Sequence, residues 1–148
     1  MAIYEGGCEC GAVRYRMTDD PMFVNCCHCR QCQKITGSAF AINGMIEADR
    51  LEIVEGKDKL SNDSRCGLCD TVLWGTHRLF GAGIKFVRLG TLDESERIKP
   101  DAHFFTRSKH SWVTIPDGIP VFETLPTDRD PPLMSADAAA RLEVARGG

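Results

Sequence analysis

Short alternations of apolar and polar residues recur along this chain and predict a mainly β protein. Ala12-Val13-Arg14-Tyr15-Arg16 and Leu51-Glu52-Ile53-Val54-Glu55 place alternate side chains on one face, the period of a half-buried strand. Ile84-Lys85-Phe86-Val87-Arg88-Leu89 reads the same way. Ile119-Pro120-Val121-Phe122 reads as a further strand, placed at an edge because proline cannot donate to a ladder. Phe40-Ala41-Ile42 and Val72-Leu73-Trp74 are shorter candidates. Gly37, Gly44, Gly56, Gly75, Gly81, Gly83 and Gly90 punctuate these segments as turn residues. A short helix is expected from Arg30 to Thr36, stopped by Gly37. The pattern changes near the C-terminus. Pro126 to Pro132 reads as a linker, and Ser135 can cap an alanine-rich helix running to Arg146. Such a helix is marginal alone, so a mobile tail is the competing reading. The expected organisation is one domain over residues 1–126, followed by a linker and short tail over 127–148.

Composition narrows the partners. A chain of 148 residues with 43% hydrophobic and 26% charged residues fits a soluble domain with a real core. A net charge of -3 and a pI near 5.8 give no electrostatic footprint for nucleic acid. No apolar run approaches the roughly 20 residues of a membrane span. Nucleic acid and membrane are therefore not expected partners, and the oligomeric state is left open. Met1 to Gly7 has no basic segment before an apolar stretch, so a cytoplasmic protein is expected. Disulfides are rare there, and clustered cysteines more often bind metal.

The cysteines carry the chemistry. All eight lie in three clusters: Cys8 and Cys10; Cys26, Cys27, Cys29 and Cys32; Cys66 and Cys69. Zinc takes thiolates at about 2.3 Å in a tetrahedron, so short spacings of this kind can converge on one ion. Residues i and i+2 of a strand share a face, which would let Cys8 and Cys10 present two sulfurs together. Cys66-Gly67-Leu68-Cys69 has zinc-knuckle spacing. Two pairs make four thiolates, a closed structural site. Cys27, Cys29 and Cys32 can wrap an ion from one turn entering a helix, with a fourth position left open for chemistry. Cys26 should point away from Cys27 in an extended backbone. The other partition joins the middle cluster to one outer pair and leaves the remaining pair unused.

These residues resemble a known family. Gly6-Gly7-Cys8-Glu9-Cys10-Gly11-Ala12-Val13-Arg14-Tyr15 is similar to the opening of the glutathione-dependent formaldehyde-activating (Gfa) family. Cys27-His28-Cys29-Arg30-Gln31-Cys32-Gln33-Lys34, followed by Gly37-Ser38-Ala39-Phe40, resembles its central motif, and Cys66-Gly67-Leu68-Cys69 sits where the family has its second structural pair. Gly90-Thr91-Leu92-Asp93, then Pro100, His103, Phe104, Ser108, Lys109 and Trp112, resemble later landmarks. The similarity runs in order over residues 3 to 126. It implies a β-tent zinc-binding fold of antiparallel strands with short helices. It implies two zinc ions per chain, a structural one on Cys8, Cys10, Cys66 and Cys69 and a catalytic one on Cys27, Cys29 and Cys32. Two positions depart from the family: Arg65 replaces an aromatic residue before the second pair, and Asp70 replaces a glycine after it.

The implied activity is that of a carbon–sulfur lyase of the S-(hydroxymethyl)glutathione synthase type. A zinc-bound thiol, glutathione or another small thiol, would ionise at neutral pH and add reversibly to formaldehyde or another small aldehyde. Three thiolates around the dication leave one negative charge and keep the bound sulfur nucleophilic. Glutathione has two carboxylates, so Arg30, Lys34, Arg107 and Lys109 are the candidate substrate-binding cations; each is equally at home as a solvated surface charge. His28, between two proposed ligands, is either a proton shuttle or a structural residue. His103 fits a packing or hydrogen-bonding role as readily as a functional one. A non-catalytic zinc scaffold of the same fold, as in centromere-protein relatives, is the alternative. A type B methionine sulfoxide reductase is set aside because no cysteine follows Cys69.

Overall fold

The computed structural model describes residues 2–147. Its strands are β1 (Tyr4–Gly7), β2 (Arg14–Met17), β3 (Phe23–Cys27), β4 (Ala41–Glu47), β5 (Leu51–Glu55), β6 (Leu60–Ser61), β7 (Arg65–Cys66), β8 (Trp74–His77), β9 (Gly81–Arg88) and β10 (Ala102–Phe104). Helix α1 (Arg30–Thr36) follows β3, and α2 (Ala136–Ala145) ends the chain. The mainly β expectation holds. A three-stranded sheet runs β1-β2-β5, a five-stranded sheet runs β10-β3-β4-β9-β8, and β6 pairs with β7. All named pairings are antiparallel except that of β10 with β3, which is parallel.

Alternation explains how the sheets stack. In β2, Tyr15 and Met17 are buried, while Arg16 reaches outward to Glu5 across the strand pair at 2.8 Å. They meet one face of the five-stranded sheet, where Val24, Ile46, Trp74 and Val87 complete the larger core. The opposite face carries Phe23, Met45, Ile84 and Phe86 in register across β3, β4 and β9. Helix α2 covers this second face with Ala138, Leu142 and Ala145. Burying an aliphatic or aromatic side chain contributes about 1.5–3 kcal/mol, so the two clusters together supply most of the driving force.

Several local expectations change. Ile119–Phe122 is not a strand: Val121 makes a single parallel bridge to His103. The His103 N–H donates to Pro120 O and the Phe122 N–H donates to His103 O, both at 2.9 Å. Pro120 has no N–H to extend the ladder. Val72 only bridges to Arg65, and its strand begins at Trp74. Gly44, Gly75 and Gly83 lie inside strands instead of at turns. Two of them permit close approach. A Cβ on Gly44 would lie 2.7 Å from a Leu89 methyl, and one on Gly83 would lie 2.3 Å from Ala145 O at the end of α2. Helix α1 spans Arg30–Thr36, with Gly37 as its left-handed C-cap.

Helix α2 is held by more than apolar contact. Ser135 Oγ accepts the Ala138 N–H at 3.1 Å. Arg141 donates two 2.7 Å hydrogen bonds to the two carboxylate oxygens of Glu47 on β4, and both side chains are largely buried. Burial is the largest influence and raises the Glu47 carboxyl pKa, but the Arg141 hydrogen bonds, a backbone N–H and the charges of Arg141 and Arg50 together outweigh it, and the net shift is downward. The stabilisation is therefore present above the ordinary carboxylate range and is lost as pH falls through the folded value. Arg141→Ala should cost about 2 kcal/mol at neutral pH, less than a fully orphaned buried charge, because Arg50 stays 3.6 Å from Glu47. Urea unfolding should show this loss at about pH 7 and a much smaller one at about pH 3. Equal losses at both values would exclude the ion pair as the cause.

Candidate metal centres

The first group forms where two distant turns meet. Cys8 and Cys10 lie in the turn after β1, not in a strand as expected, with Gly11 N–H donating to Cys8 O at 3.1 Å. Cys66 ends β7, and Cys69 lies in the turn that follows. All four sulfurs fall within 4.8 Å of one another, with Cys8–Cys10 at 3.6 Å and Cys10–Cys66 at 3.8 Å. Four thiolates at zinc–sulfur length would stand about 3.8 Å apart along each tetrahedron edge, so the donor set fits a zinc ion. Backbone N–H groups already point at two of these sulfurs: Val13 N to Cys8 Sγ at 3.2 Å and Leu68 N to Cys66 Sγ at 3.4 Å. Burial opposes ionisation of Cys8, but the Val13 N–H and the neighbouring thiols outweigh it and lower its pKa. The Thr71 hydroxyl and N–H lead in lowering Cys69 to about 6. Thr71 Oγ1 also accepts the Glu9 N–H at 3.1 Å, tying the two turns together. Asp70, where the family has glycine, adopts φ 63, the left-handed conformation that glycine takes without strain.

The second group forms at the β3–α1 junction. Cys27 is the last residue of β3, Cys29 is the N-cap of α1 and Cys32 lies in its first turn. Their sulfurs also lie within 4.8 Å of one another, and among the described residues no fourth Cys, His, Asp or Glu joins them. Cys29 Sγ accepts the Cys32 N–H at 3.3 Å, so the sulfur doubles as the helix cap. The Cys32 thiol is foremost in lowering Cys27 to about 6, with the Cys29 N–H and the Arg88 charge adding to it; Cys32 is pushed up in turn. Cys27 is buried, whereas Cys29 and Cys32 are half-buried.

The surroundings differ from the sequence-based choices. Arg30 is exposed and bonds Gln33 Oε1. Lys34 is exposed, and Arg107 lies over the Phe105 ring at 5.8 Å. Lys109 is half-buried, with Nζ donating to His110 O at 3.1 Å and Val113 O at 2.7 Å, so it fastens the loop after β10. Two residues given no role in the sequence reading matter more locally. Buried Gln33 donates to His28 O at 2.8 Å and to Ser108 O at 2.9 Å, joining α1 to that loop. Arg88 on β9 faces Cys27 and bonds Asn43, its register partner on β4. Only cross-strand register could reveal Arg88.

A third group was not anticipated. Cys26, His28 and His103 place their donor atoms within 4.8 Å of one another, and all three are buried. Burial pushes the Cys26 thiol up to about 12 and, with help from His103, Lys109 and His110, pulls His28 down to about 4. Burial also lowers His103. Trp74 is a core residue, whereas Trp112 is 73% exposed. All eight cysteines are free thiols. Among the described residues no helix is long and apolar enough to cross a membrane.

Comparison with known proteins agrees with the cysteine pattern. The sequence profile of the family described as glutathione-dependent formaldehyde-activating enzyme matches residues 3–108. A protein of Halomonas elongata named "Putative glutathione-dependent formaldehyde-activating enzyme" is 31% identical over 127 aligned residues, covering 76% of this chain and 81% of the relative. A crystal structure of a Rhodobacter sphaeroides protein superposes with a TM-score of 0.45 and 18% identity, covering 65% of this chain and 91% of the other. The profile match takes in all three cysteine clusters and most of both large sheets, and this chain therefore belongs to the glutathione-dependent formaldehyde-activating enzyme family.

Proposed function

We propose that this protein catalyses reversible addition of a small thiol, glutathione in the first instance, to formaldehyde or a similar aldehyde. The observation that carries this reading is the contrast between the two all-cysteine groups: one has four sulfurs, the other three. Four protein ligands close a zinc site, and three leave a position for a reactant. Cys8, Cys10, Cys66 and Cys69 are proposed to hold a structural zinc, and Cys27, Cys29 and Cys32 a catalytic one. The three-sulfur donor set suits zinc, which when bound there supplies a lowered thiol pKa at neutral pH.

The chain's own residues then bind and place the reactants. The rigid β3–α1 junction fixes the three sulfurs, because the Cys29 cap and the Gln33 bonds hold the turn. Arg30, Lys34 and Arg107 sit on exposed surface near this junction and are proposed to meet the carboxylates of glutathione. Lys109 uses two of its three N–H donors on the loop, and one remains for substrate. In the reaction the glutathione thiolate attacks the aldehyde carbon. A carbon–sulfur bond forms, the carbonyl π electrons move to oxygen, and that oxygen takes up, through solvent, the proton the thiol released on ionising, to give S-hydroxymethylglutathione. Holding the two reactants together is the main contribution asked of the protein.

Two experiments test this reading. Cys8→Ser should lose one zinc by elemental analysis and much of its folded population, since structural zinc contributes on the order of 10 kcal/mol to folding. Cys29→Ser should also lose one zinc yet keep its fold and circular dichroism spectrum; full zinc content in either variant would overturn the corresponding ligand set. NMR exchange between glutathione and its formaldehyde adduct should be faster with zinc-loaded protein than without it, and should return to the spontaneous rate with Cys29→Ser. A spontaneous rate with the intact protein would reject this thiol–aldehyde pair.

A further inference from the structure

Cys26, His28 and His103 have no part in the proposed reaction. The two parts of the Cys26-Cys27 dipeptide leave β3 on opposite faces, because successive strand residues alternate. His28, two residues beyond Cys26, returns to the Cys26 side. His103 is the Cα partner of Cys26 in the parallel β10–β3 pairing, so it projects from the same face. The groups are 1%, 0% and 7% exposed, respectively. His28 Nε2 lies 2.9 Å from His103 Nδ1 and 3.7 Å from Cys26 Sγ. Among the described residues no carboxylate bonds any of the three, and the buried His28 Nδ1 has no hydrogen-bond partner.

Three polar side chains buried together need a reason, since each costs free energy unless it is well paired. One good hydrogen bond among them is poor compensation. As a ligand set they make better sense. Around zinc in tetrahedral geometry, sulfur and nitrogen stand about 3.5 Å apart and two nitrogens about 3.3 Å apart. The Cys26–His28 contact already matches this within about 0.2 Å, Cys26 and His103 have their donor atoms within 4.8 Å, and the imidazoles need to separate by only about 0.4 Å. The short nitrogen–nitrogen contact is what a shared proton gives when no ion stands between the rings.

We propose that Cys26, His28 and His103 form a third metal site, distinct from the two all-cysteine groups, for a late first-row ion of the zinc or copper(I) type. One thiolate and two imidazoles favour such ions over hard cations such as magnesium or calcium, which prefer oxygen ligands. The site lies on the reverse side of the strand that ends in Cys27. An ion there would join β3 to β10, whose pairing is only three residues long, and so brace the loop carrying Ser108 and Lys109.

Exchange of the purified, folded protein into cadmium-113 tests this directly, because the NMR shift of cadmium reports the number of bound thiolates. The expected spectrum at saturating cadmium has three resonances, the most upfield from the one-sulfur site. Cys26→Ala and His103→Gln should each remove that resonance and leave the other two. Two resonances in the unaltered protein would overturn the proposal, and so would a third that survives both substitutions. The unaltered protein alone decides the point if a variant does not fold. Elemental analysis of protein grown with zinc and copper identifies the ion, through a third equivalent of zinc or one of copper per chain.

Discussion

The pleat of β3 is the constraint on which the rest of this structure depends. A strand sends consecutive side chains to opposite sides. Both sides of β3 are interior, because the larger core lies against one and α2 covers the other. Val24 points to the first side and Phe23 to the second, and alternation puts Cys26 with Val24 and Cys27 with Phe23. A slip of one residue would exchange every member of these sets. It would place Cys27 among apolar groups and send Cys26 toward α1, where it could not join Cys29 and Cys32. Hydrophobic patterning on two faces thus protects the sulfur geometry.

The four-sulfur group constrains a different part of the chain. It joins the turn after β1 to the turn after β7, two segments with little secondary structure between them to hold them together. The hydrogen bonds already in place, from Val13, Leu68 and Glu9, aim donors at sulfur or at Thr71 before any ion is considered. Thiols held this close also compete for protons: Cys8 and Cys69 are lowered while Cys10 is raised. That arrangement suits a dication, which removes the competition by replacing the protons. Gln33 plays the corresponding part at the three-sulfur group, where it links helix and loop through neutral hydrogen bonds.

Local order in the sequence was a good guide wherever structure depends on near neighbours. Helix α1 was legible because Gly37 stops it, whereas the Cys29 cap at its start came only from the structure. Strand β5 was legible because five residues alternate with no competing signal. Gly44 misled because a glycine in a strand and a glycine in a turn look alike until the side chain crossing above it, Leu89, is known. Ile119–Phe122 misled because alternation does not show whether a partner strand is long enough to pair with.

Sequence by itself determined the cysteine spacing, the β-rich class and the family. These follow from torsional preference and from ligand separations of two or three residues, which a chain cannot avoid expressing. Only the tertiary structure decided which distant residues meet. His103 reaches Cys26 through the parallel register of β10 with β3, and Arg88 reaches Cys27 across the intervening strand β4. Such encounters cost loop entropy and are repaid by burial spread over both sheet faces. No short stretch of sequence contains both the cost and the repayment, and so none could announce the contact.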